Sequence, residues 1–170
     1  WPWPDPKSMK LRVADMRTIL FLATWSLSTC LFAGTTIDES RSIAPDGSVV
    51  VKNVKGEIVV TGADTDQMQG TGELGDGSRE LSIRGGPSRW YVEVDIPRNS
   101  RRVEESVLYL RVPRSVDLDL EGVSARIDVE NVENRRISVA SVSGDVTIGA
   151  RTNVLEIEVV SGDLEIDGSF

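Results

Sequence analysis

The last third of the chain repeats one pattern of apolar residues three times. The copies begin at Leu118, Ile137 and Leu155, so the period is 19 and then 18 residues. A fixed short period is typical of repeat folds, in which one copy cannot bury its apolar face alone. Apolar residues occupy the first, third, sixth, tenth and twelfth positions of each copy, and the resulting columns are Leu118/Ile137/Leu155, Leu120/Val139/Ile157, Val123/Val142/Val160, Ile127/Val146/Leu164 and Val129/Ile148/Ile166.

The spacing within a copy predicts β-strands. In the third copy Leu155 and Ile157 are two residues apart, whereas a helix would place apolar residues three or four apart. Valine and isoleucine dominate the columns, and β-branched side chains suit a pleated, half-buried surface. The sequence Val-Ser-Gly-Asp occurs at Val142–Asp145 and again at Val160–Asp163, between the two strands of a copy. Its small residues predict a corner there.

One copy is therefore a strand, a corner, a second strand and a turn. Strands rise about 3.3 Å per residue and lie about 4.8 Å apart, so successive circuits place equivalent positions over one another. We predict an all-β fold of the repeat β-solenoid class (β-helix-like), with two short strands per 18–19-residue coil and a preceding N-terminal signal helix. Each apolar column is predicted to be a buried ladder.

A separate fourth copy lies at Val49–Val60. It has the same apolar positions as the third copy, with Gly56 and Glu57 where Gly162 and Asp163 stand. The same unit therefore opens and closes one domain, which we predict to span residues 48–170.

The repeats also resemble a known family. The residues that carry the resemblance are Val54–Gly62, the strand end Leu110–Pro113, and the Val-Ser-Gly-Asp sequences at Val142–Asp145 and Val160–Asp163. In their order and spacing they resemble the bacterial putative-adhesin domain of unknown function (DUF4097 type), from Ser40 onward. The resemblance implies an exported protein with a β-solenoid fold, and it supplies no catalytic residues.

Residues 1–15 are predicted to lie outside the fold. Trp1–Ser8 contains three prolines and no initiator methionine, which is typical of upstream sequence. Either Met9 or Met16 can serve as the start, because basic residues follow both.

The segment 16–33 is predicted to be a cleaved signal peptide, followed by a polar lead-in at 34–47. Arg17 precedes the uncharged run Ile19–Gly34, which ends in small residues, and this is the order of an n-region, an h-region and a cleavage site. The alternatives are an uncleaved membrane helix, which the lack of a following positive flank disfavours, and a lipid anchor at Cys30. We expect export to the periplasm, the outer-membrane surface or the extracellular space, with no membrane span in the mature form.

The mature form is expected to be acidic. Cleavage after Ala33 would remove Cys30, the only cysteine, so no disulfide is expected. The remaining residues carry 15 basic and 25 acidic side chains, a net charge of −10. Such a surface repels phosphate backbones, so nucleic acid is not expected as a partner.

The chain outside the repeats predicts further strands. Trp90 or Tyr91 is expected to cover an end of the core, which is otherwise aliphatic because only 5% of residues are aromatic. Residues 97–105 lack an apolar period and predict an exposed loop. The predicted strands are Ser48–Val54, Glu57–Thr61, Met68–Leu74, a hairpin of Glu80–Arg84 with Trp90–Ile96, and Val107–Val112, which Pro113 ends.

The residue types present limit the chemistry. The chain has no histidine, which excludes Ser-His-Asp and Cys-His catalysis and His-ligated zinc. Stacked outward carboxylates can attract Ca²⁺, and the candidate ligands are Asp145, Asp163, Glu165 and Asp167. The simpler interpretation is a solvated acidic face, with corner aspartates bonding backbone amides. Arg126, in the column of Asp145, is a candidate for a cross-strand salt bridge.

These observations favour a non-enzymatic, exported cell-envelope or adhesin-like β-solenoid without a cofactor, whose partner is an envelope protein or a glycan. The alternatives are a Ca²⁺- or carbohydrate-binding module on the acidic face, a paired-carboxylate glycan hydrolase or lyase, and a regulatory partner of an envelope-stress system. Phe170 directly follows the last strand, so we expect the natural protein either to continue with more coils or to associate end to end.

Overall fold

The computed structural model describes residues 35–98, 100 and 102–170. These residues form nine strands and no helix, which confirms the all-β prediction. The strands are β1 (Thr35–Ser42), β2 (Ser48–Ala63), β3 (Gln67–Leu74), β4 (Glu80–Gly86), β5 (Arg89–Asp95), β6 (Ser106–Pro113), β7 (Asp117–Ser143), β8 (Val146–Ser161) and β9 (Leu164–Ser169).

The predictions for the N-terminus concern other residues. The segments 1–15 and 16–33, with the signal helix and Cys30, lie outside the described residues. Within the part of the chain that the structure describes, there is no helix of the length and apolarity that crossing a bilayer requires.

All nine described strands belong to one mixed sheet. The hydrogen-bonded order is β1-β3-β6-β2-β7-β8-β9, while β5 pairs with both β2 and β4. The pairs β1–β3, β3–β6 and β4–β5 are antiparallel, and the other pairs are parallel. Within the repeats, each parallel pair joins residues 18 or 19 apart, such as Ile127 with Val146 and Val146 with Leu164. The chain therefore advances by one strand spacing with each repeat.

The strand pairing confirms the predicted register of the apolar columns. The fourth copy, on β2, pairs in register with the first repeat on β7. The ladders extend to Leu164 and Ile166 on β9. In-register pairs are Val49–Leu118, Val51–Leu120, Ile58–Ile127, Val60–Val129, Ile127–Val146, Val129–Ile148, Ile137–Leu155 and Val139–Ile157.

A β-bulge explains why the period is 19 residues once and 18 afterwards. Glu130 pairs with Gly149 and Val132 pairs with Ala150, so Asn131 is an extra residue on β7. Asn131 has a φ of 57°, the only positive φ of a non-glycine residue in the described ranges. Asparagine tolerates this left-handed conformation better than most residues. The bulge therefore absorbs the additional residue while the apolar columns on both sides stay in register.

Four of the five columns are buried in most of the repeats. Their members on β2, on β7 and in the first half of β8 are at most 2% exposed. On the last circuit, Leu155 and Ile157 are only partly buried, and Leu164 and Ile166 are exposed. The prediction of buried ladders is wrong there, because β9 pairs only with β8 among the described strands.

The prediction is also wrong for the whole third column. Its members Val54, Val123, Val142 and Val160 are 43%, 46%, 51% and 73% exposed. Side chains along a strand alternate between its two faces. Because the first, third and fifth positions of each repeat point into the core, the sixth position faces water. Ser141 shows this directly, because it holds the fifth position of its repeat and is buried.

The inward series resumes at the eighth position, where each repeat turns its corner. This position holds Gly56, Ala125, Gly144 and Gly162, all small residues. Gly144 has a φ of +144°, and a Cβ there would lie 2.3 Å from the Ala125 carbonyl oxygen. Gly162 has the same relation to the carbonyl oxygen of Gly144, at 2.2 Å. The repeated Val-Ser-Gly-Asp thus reflects close backbone contact between successive repeats.

The polar segment 34–47 is more than a lead-in. Thr35–Ser42 forms β1, whose antiparallel pairing with β3 satisfies its backbone despite its polar side chains. Ile37 and Ile43 are buried in the core. The prediction that the first strand begins at Ser48 is therefore wrong.

The predictions for the middle of the chain are largely confirmed. The strand β3, the hairpin of β4 and β5, and the strand β6 lie where expected, and the described residues of 97–105 form no strand. However, β2 continues through Val54–Glu57, where a break between two strands was predicted. Likewise β7 is unbroken from Asp117 to Ser143, so the prediction of two short strands per coil is wrong there. Trp90 packs against the core, and its Nε1 donates a hydrogen bond to the Ser42 carbonyl oxygen at 3.0 Å.

Candidate functional site

The outward third column forms one side of a groove. Val54 lies on β2, Val123 and Val142 lie on β7, and Val160 lies on β8, and all four line a single groove of about 440 Å³. We call these four residues the valine ladder. The volume falls within the range of about 300–1,000 Å³ that is usual for ligand sites.

The valine ladder is an unusual surface feature. Single exposed apolar side chains are common on soluble proteins, but a continuous apolar strip marks an interaction site more often than chance exposure does. The strip is continuous because equivalent positions of the repeats stack. The residues directly before the four valines show this: Asn53 pairs with Gly122, and Ser141 pairs with Val159. The repeat that builds the core therefore also builds this strip.

A second row of side chains runs beside the valine ladder, two residues earlier on each strand. We call it the charged row, although one member is alanine. Lys52 pairs in register with Glu93 on β5 and with Glu121 on β7, and Ala140 pairs with Glu158 on β8. All five residues line the groove. The groove therefore has an apolar strip on one side and a mainly acidic strip on the other.

Lys52 is held in the charged row by its carboxylate neighbours. Its Nζ lies 2.7 Å from Glu121 Oε2, and both side chains are partly exposed. The hydrogen bond to Glu121 raises the pKa of Lys52, burial opposes this to a smaller extent, and the charges of Glu121, Glu93 and Asp119 add to the increase. Lys52 is therefore fully charged at neutral pH.

The carboxylates of the charged row differ in their partners. Glu121 is paired with Lys52, and Glu93 Oε2 accepts a hydrogen bond from Arg84 Nη2 at 2.7 Å. Glu158 has no basic side chain within 4.0 Å in the described ranges. Glu158 is thus the carboxylate of this row with an uncompensated charge.

The fifth position of each repeat forms the edge of the groove nearest the core. Asn53 is buried there, and its Nδ2 donates to the Ser106 carbonyl oxygen at 3.0 Å. Two repeats further on, Ser141 is equally buried, but its Oγ has no hydrogen-bond partner among the described residues. Gly122 lies at the equivalent position between them. The side chain at this edge of the groove is therefore smallest at Gly122 and larger on both sides of it.

The predicted metal ligands do not form a cluster with one another. Asp145 Oδ1 accepts a hydrogen bond from the Asp163 amide at 3.1 Å, and the Asp145 carbonyl oxygen accepts one from the Ile127 amide. Glu165 and Asp167 are exposed on β9. Among the described residues, no three acidic, histidine or cysteine side chains come together in an arrangement that could hold a metal ion. The corner aspartate thus bonds the backbone of the next repeat.

Several other outward carboxylates pair with arginine. Arg126 Nε lies 3.2 Å from Asp128 Oδ2, two residues along the same strand, so the predicted cross-strand partner is wrong. Further pairs are Arg135–Asp117, Arg136–Glu156 and Arg151–Glu133. These pairs are exposed and contribute little to stability.

Sequence reasoning found the valine ladder as a column but placed it in the core. The signal that could have corrected this is the fifth position, because alternation from the first and third positions leads inward to Asn53 and Ser141. The polar character of these residues hid that signal. The charged row was recognised only as part of a general acidic face.

The fold and groove describe an all-β protein built on stacked parallel strands. No family model matches the chain, and no curated protein is significantly similar in sequence. Solved structures with a similar fold do exist. A putative cell adhesion protein from Clostridium sporogenes superposes with a TM-score of 0.51 and 8% identity, covering 79% of this chain and 100% of that chain.

Two further structures have lower scores. A putative adhesin from Bacteroides fragilis gives a TM-score of 0.40 with 11% identity, covering 79% of this chain and 94% of that chain. A putative adhesin from Parabacteroides distasonis gives 0.30 with 10% identity, covering 79% and 82%. The similarity to the Clostridium protein shows a shared adhesin-like fold.

Proposed function

We propose that this chain is a non-enzymatic, adhesin-like β-solenoid of the cell envelope, of the DUF4097 type, that binds an envelope protein or a glycan. The solenoid is supported by the parallel pairing of residues 18 or 19 apart from β7 to β9, with the fourth copy on β2 beside them. A stack of this kind is a rigid support on which outward rows can recognise a partner.

The observation that carries the proposal is the valine ladder. A soluble protein gains nothing for its own stability by exposing four stacked valines, whereas a binding module needs such a strip. The charged row beside it provides a way to orient the partner. The fold shared with a protein described as a putative cell adhesion protein is consistent with this role.

The proposed location is outside the cytoplasm. It is supported by the order of charge, apolar run and small residues in 16–33. The acidic surface supports solubility in an exported domain.

An alternative is a Ca²⁺- or carbohydrate-binding module that uses the acidic face. It has less support, because Asp145 bonds the backbone of the next repeat and many outward carboxylates pair with arginine. A calorimetric titration with millimolar Ca²⁺ or with common glycans distinguishes the two. Heat together with a higher melting temperature would favour the alternative.

An adhesion assay tests the proposal. Beads that carry the full chain are passed over surfaces coated with peptidoglycan, bacterial envelope protein or serum albumin. We expect retention on at least one of the first two and not on albumin. Equal retention on all three would contradict an adhesive role, and so would hydrolysis of peptidoglycan that a single carboxylate substitution abolishes.

A further inference from the structure

The length of the valine ladder limits what can lie on it. Its four members occupy four successive strand positions, and three strand spacings of about 4.8 Å give a strip of about 14 Å. An extended polypeptide rises about 3.3 Å per residue, so about five residues cover this length. Alternate side chains of such a segment point to one side, and about three of them would face the valines.

The side chains of the groove favour a peptide over a sugar. Its apolar strip is made of valines, and no aromatic residue lines the groove within the described ranges. A sugar lying on valines would leave hydroxyl groups without hydrogen-bond partners, which costs free energy. The apolar side chains of an extended peptide would bury the same strip with no such cost.

The charges of the groove favour a basic segment. Glu158 carries an uncompensated charge beside Val160. The other two carboxylates of the charged row are paired, Glu121 with Lys52 and Glu93 with Arg84. A lysine or arginine next to an apolar side chain would reach Glu158 and form a charge-assisted hydrogen bond. An acidic segment would be repelled by Glu158 and by the acidic protein as a whole.

We propose that the valine ladder binds an extended peptide segment of a partner protein, with apolar side chains on the valines and a lysine or arginine beside Glu158. This inference rests on the proposed adhesive function and deepens it, because it names the chemistry of the partner.

Three seven-residue fluorescent peptides test the inference, with binding to the full chain measured by fluorescence anisotropy. The first alternates valine and lysine, the second serine and lysine, and the third valine and glutamate. We expect the valine–lysine peptide to bind at least about tenfold more tightly than the serine–lysine peptide, since burial of apolar side chains provides the difference. The valine–glutamate peptide should not bind.

Two matched pairs of variants locate the site. The double variant Val123→Ser with Val142→Ser should bind the valine–lysine peptide at least about tenfold more weakly than the parent chain. Val154→Ser should leave the affinity for this peptide unchanged, because Val154 lies outside the groove. It is a matched control, since Val154 and Val142 are both 51% exposed. Glu158→Gln should weaken binding several-fold, whereas Glu165→Gln, which removes the same charge on β9, should not.

Several outcomes would overturn the inference. These are equal binding of the valine–lysine and serine–lysine peptides, equal effects of the ladder and Val154 substitutions, and displacement of the peptide by maltoheptaose or by phosphatidylcholine vesicles. The bead assay separates this inference from the proposed function. Retention that survives Val123→Ser with Val142→Ser overturns the groove inference alone, and peptide binding without bead retention overturns the adhesive role alone.

Discussion

Gly144 lies at a corner where two successive repeats approach each other closely. Its φ of +144° is rarely adopted by residues with a side chain, and the space that a Cβ would need is filled by the Ala125 carbonyl oxygen. Neither constraint can be relieved by rotating a side chain, because the neighbouring atom belongs to the backbone. At the residue scale, the corners of the repeat therefore depend on glycine.

We expect Gly144→Ala to lower the free energy of unfolding by about 2 to 4 kcal/mol, from the positive φ together with the backbone clash. Gly149→Ala is the control, since the nearest atom to its Cβ, the Val129 carbonyl oxygen, is at an ordinary 3.6 Å. Urea denaturation of both variants makes the comparison. Equal losses of stability would contradict the account of the corner.

Lys52 provides a second prediction at the same scale. The pKa of Lys52 is raised chiefly by the hydrogen bond to Glu121. The pair therefore stabilises the fold fully at pH values below the pKa that Lys52 has in the unfolded chain. This stabilisation is lost as the pH rises through the pKa that Lys52 has in the folded protein. We expect Glu121→Gln to move the pKa of Lys52 down, and an NMR titration of the Lys52 side chain measures this. Glu158→Gln should leave it unchanged, and an equal shift in both variants would contradict the assignment.

At the scale of the elements, the bulge at Asn131 keeps β7 and β8 in register. The residue holds a φ of 57°, which a β-branched side chain adopts only with strain. The same backbone conformation is open to glycine without that cost.

We therefore expect Asn131→Val to destabilise the protein by about 1 to 2 kcal/mol, whereas Asn131→Gly should be tolerated. Thermal unfolding followed by circular dichroism compares the two. A valine variant as stable as the glycine variant would mean that the extra residue is absorbed elsewhere.

The elements also show how far the sequence can be interpreted. Strict spacing of valine, leucine and isoleucine predicts the strands and their register, because like positions in a fixed period must stack. It does not predict which face Val142 takes, since an apolar residue after a corner fits either face by composition alone. Nor does it predict β1, whose polar side chains hide a strand held mainly by its backbone pairing with β3. The groove was not predicted because the sequence does not show that Val142 faces outward.

For the molecule as a whole, β9 is the last strand in the order of the described sheet. Among the described strands β9 pairs with β8 alone, and it exposes Leu164 and Ile166. Unpaired strand edges with apolar side chains are templates for pairing with another chain, and a charged residue at the edge opposes this.

Because β9 exposes Leu164 and Ile166, we expect the 170-residue chain to self-associate with increasing concentration, and Ile166→Lys to reduce this association. Sedimentation velocity over a range of concentrations measures both. Glu165→Lys, which changes charge on the same strand while keeping Ile166, is the control. A strictly monomeric parent chain would contradict the prediction.

Successive repeats lie directly over one another, and the third column faces outward. Nitroxide labels at Val123 and Val160, in a Cys30→Ser background, test this claim without disturbing the core. We predict a separation of two strand spacings, about 10 Å, and therefore strong dipolar broadening of the electron paramagnetic resonance spectrum. A doubly labelled spectrum equal to the sum of the two singly labelled spectra would contradict it.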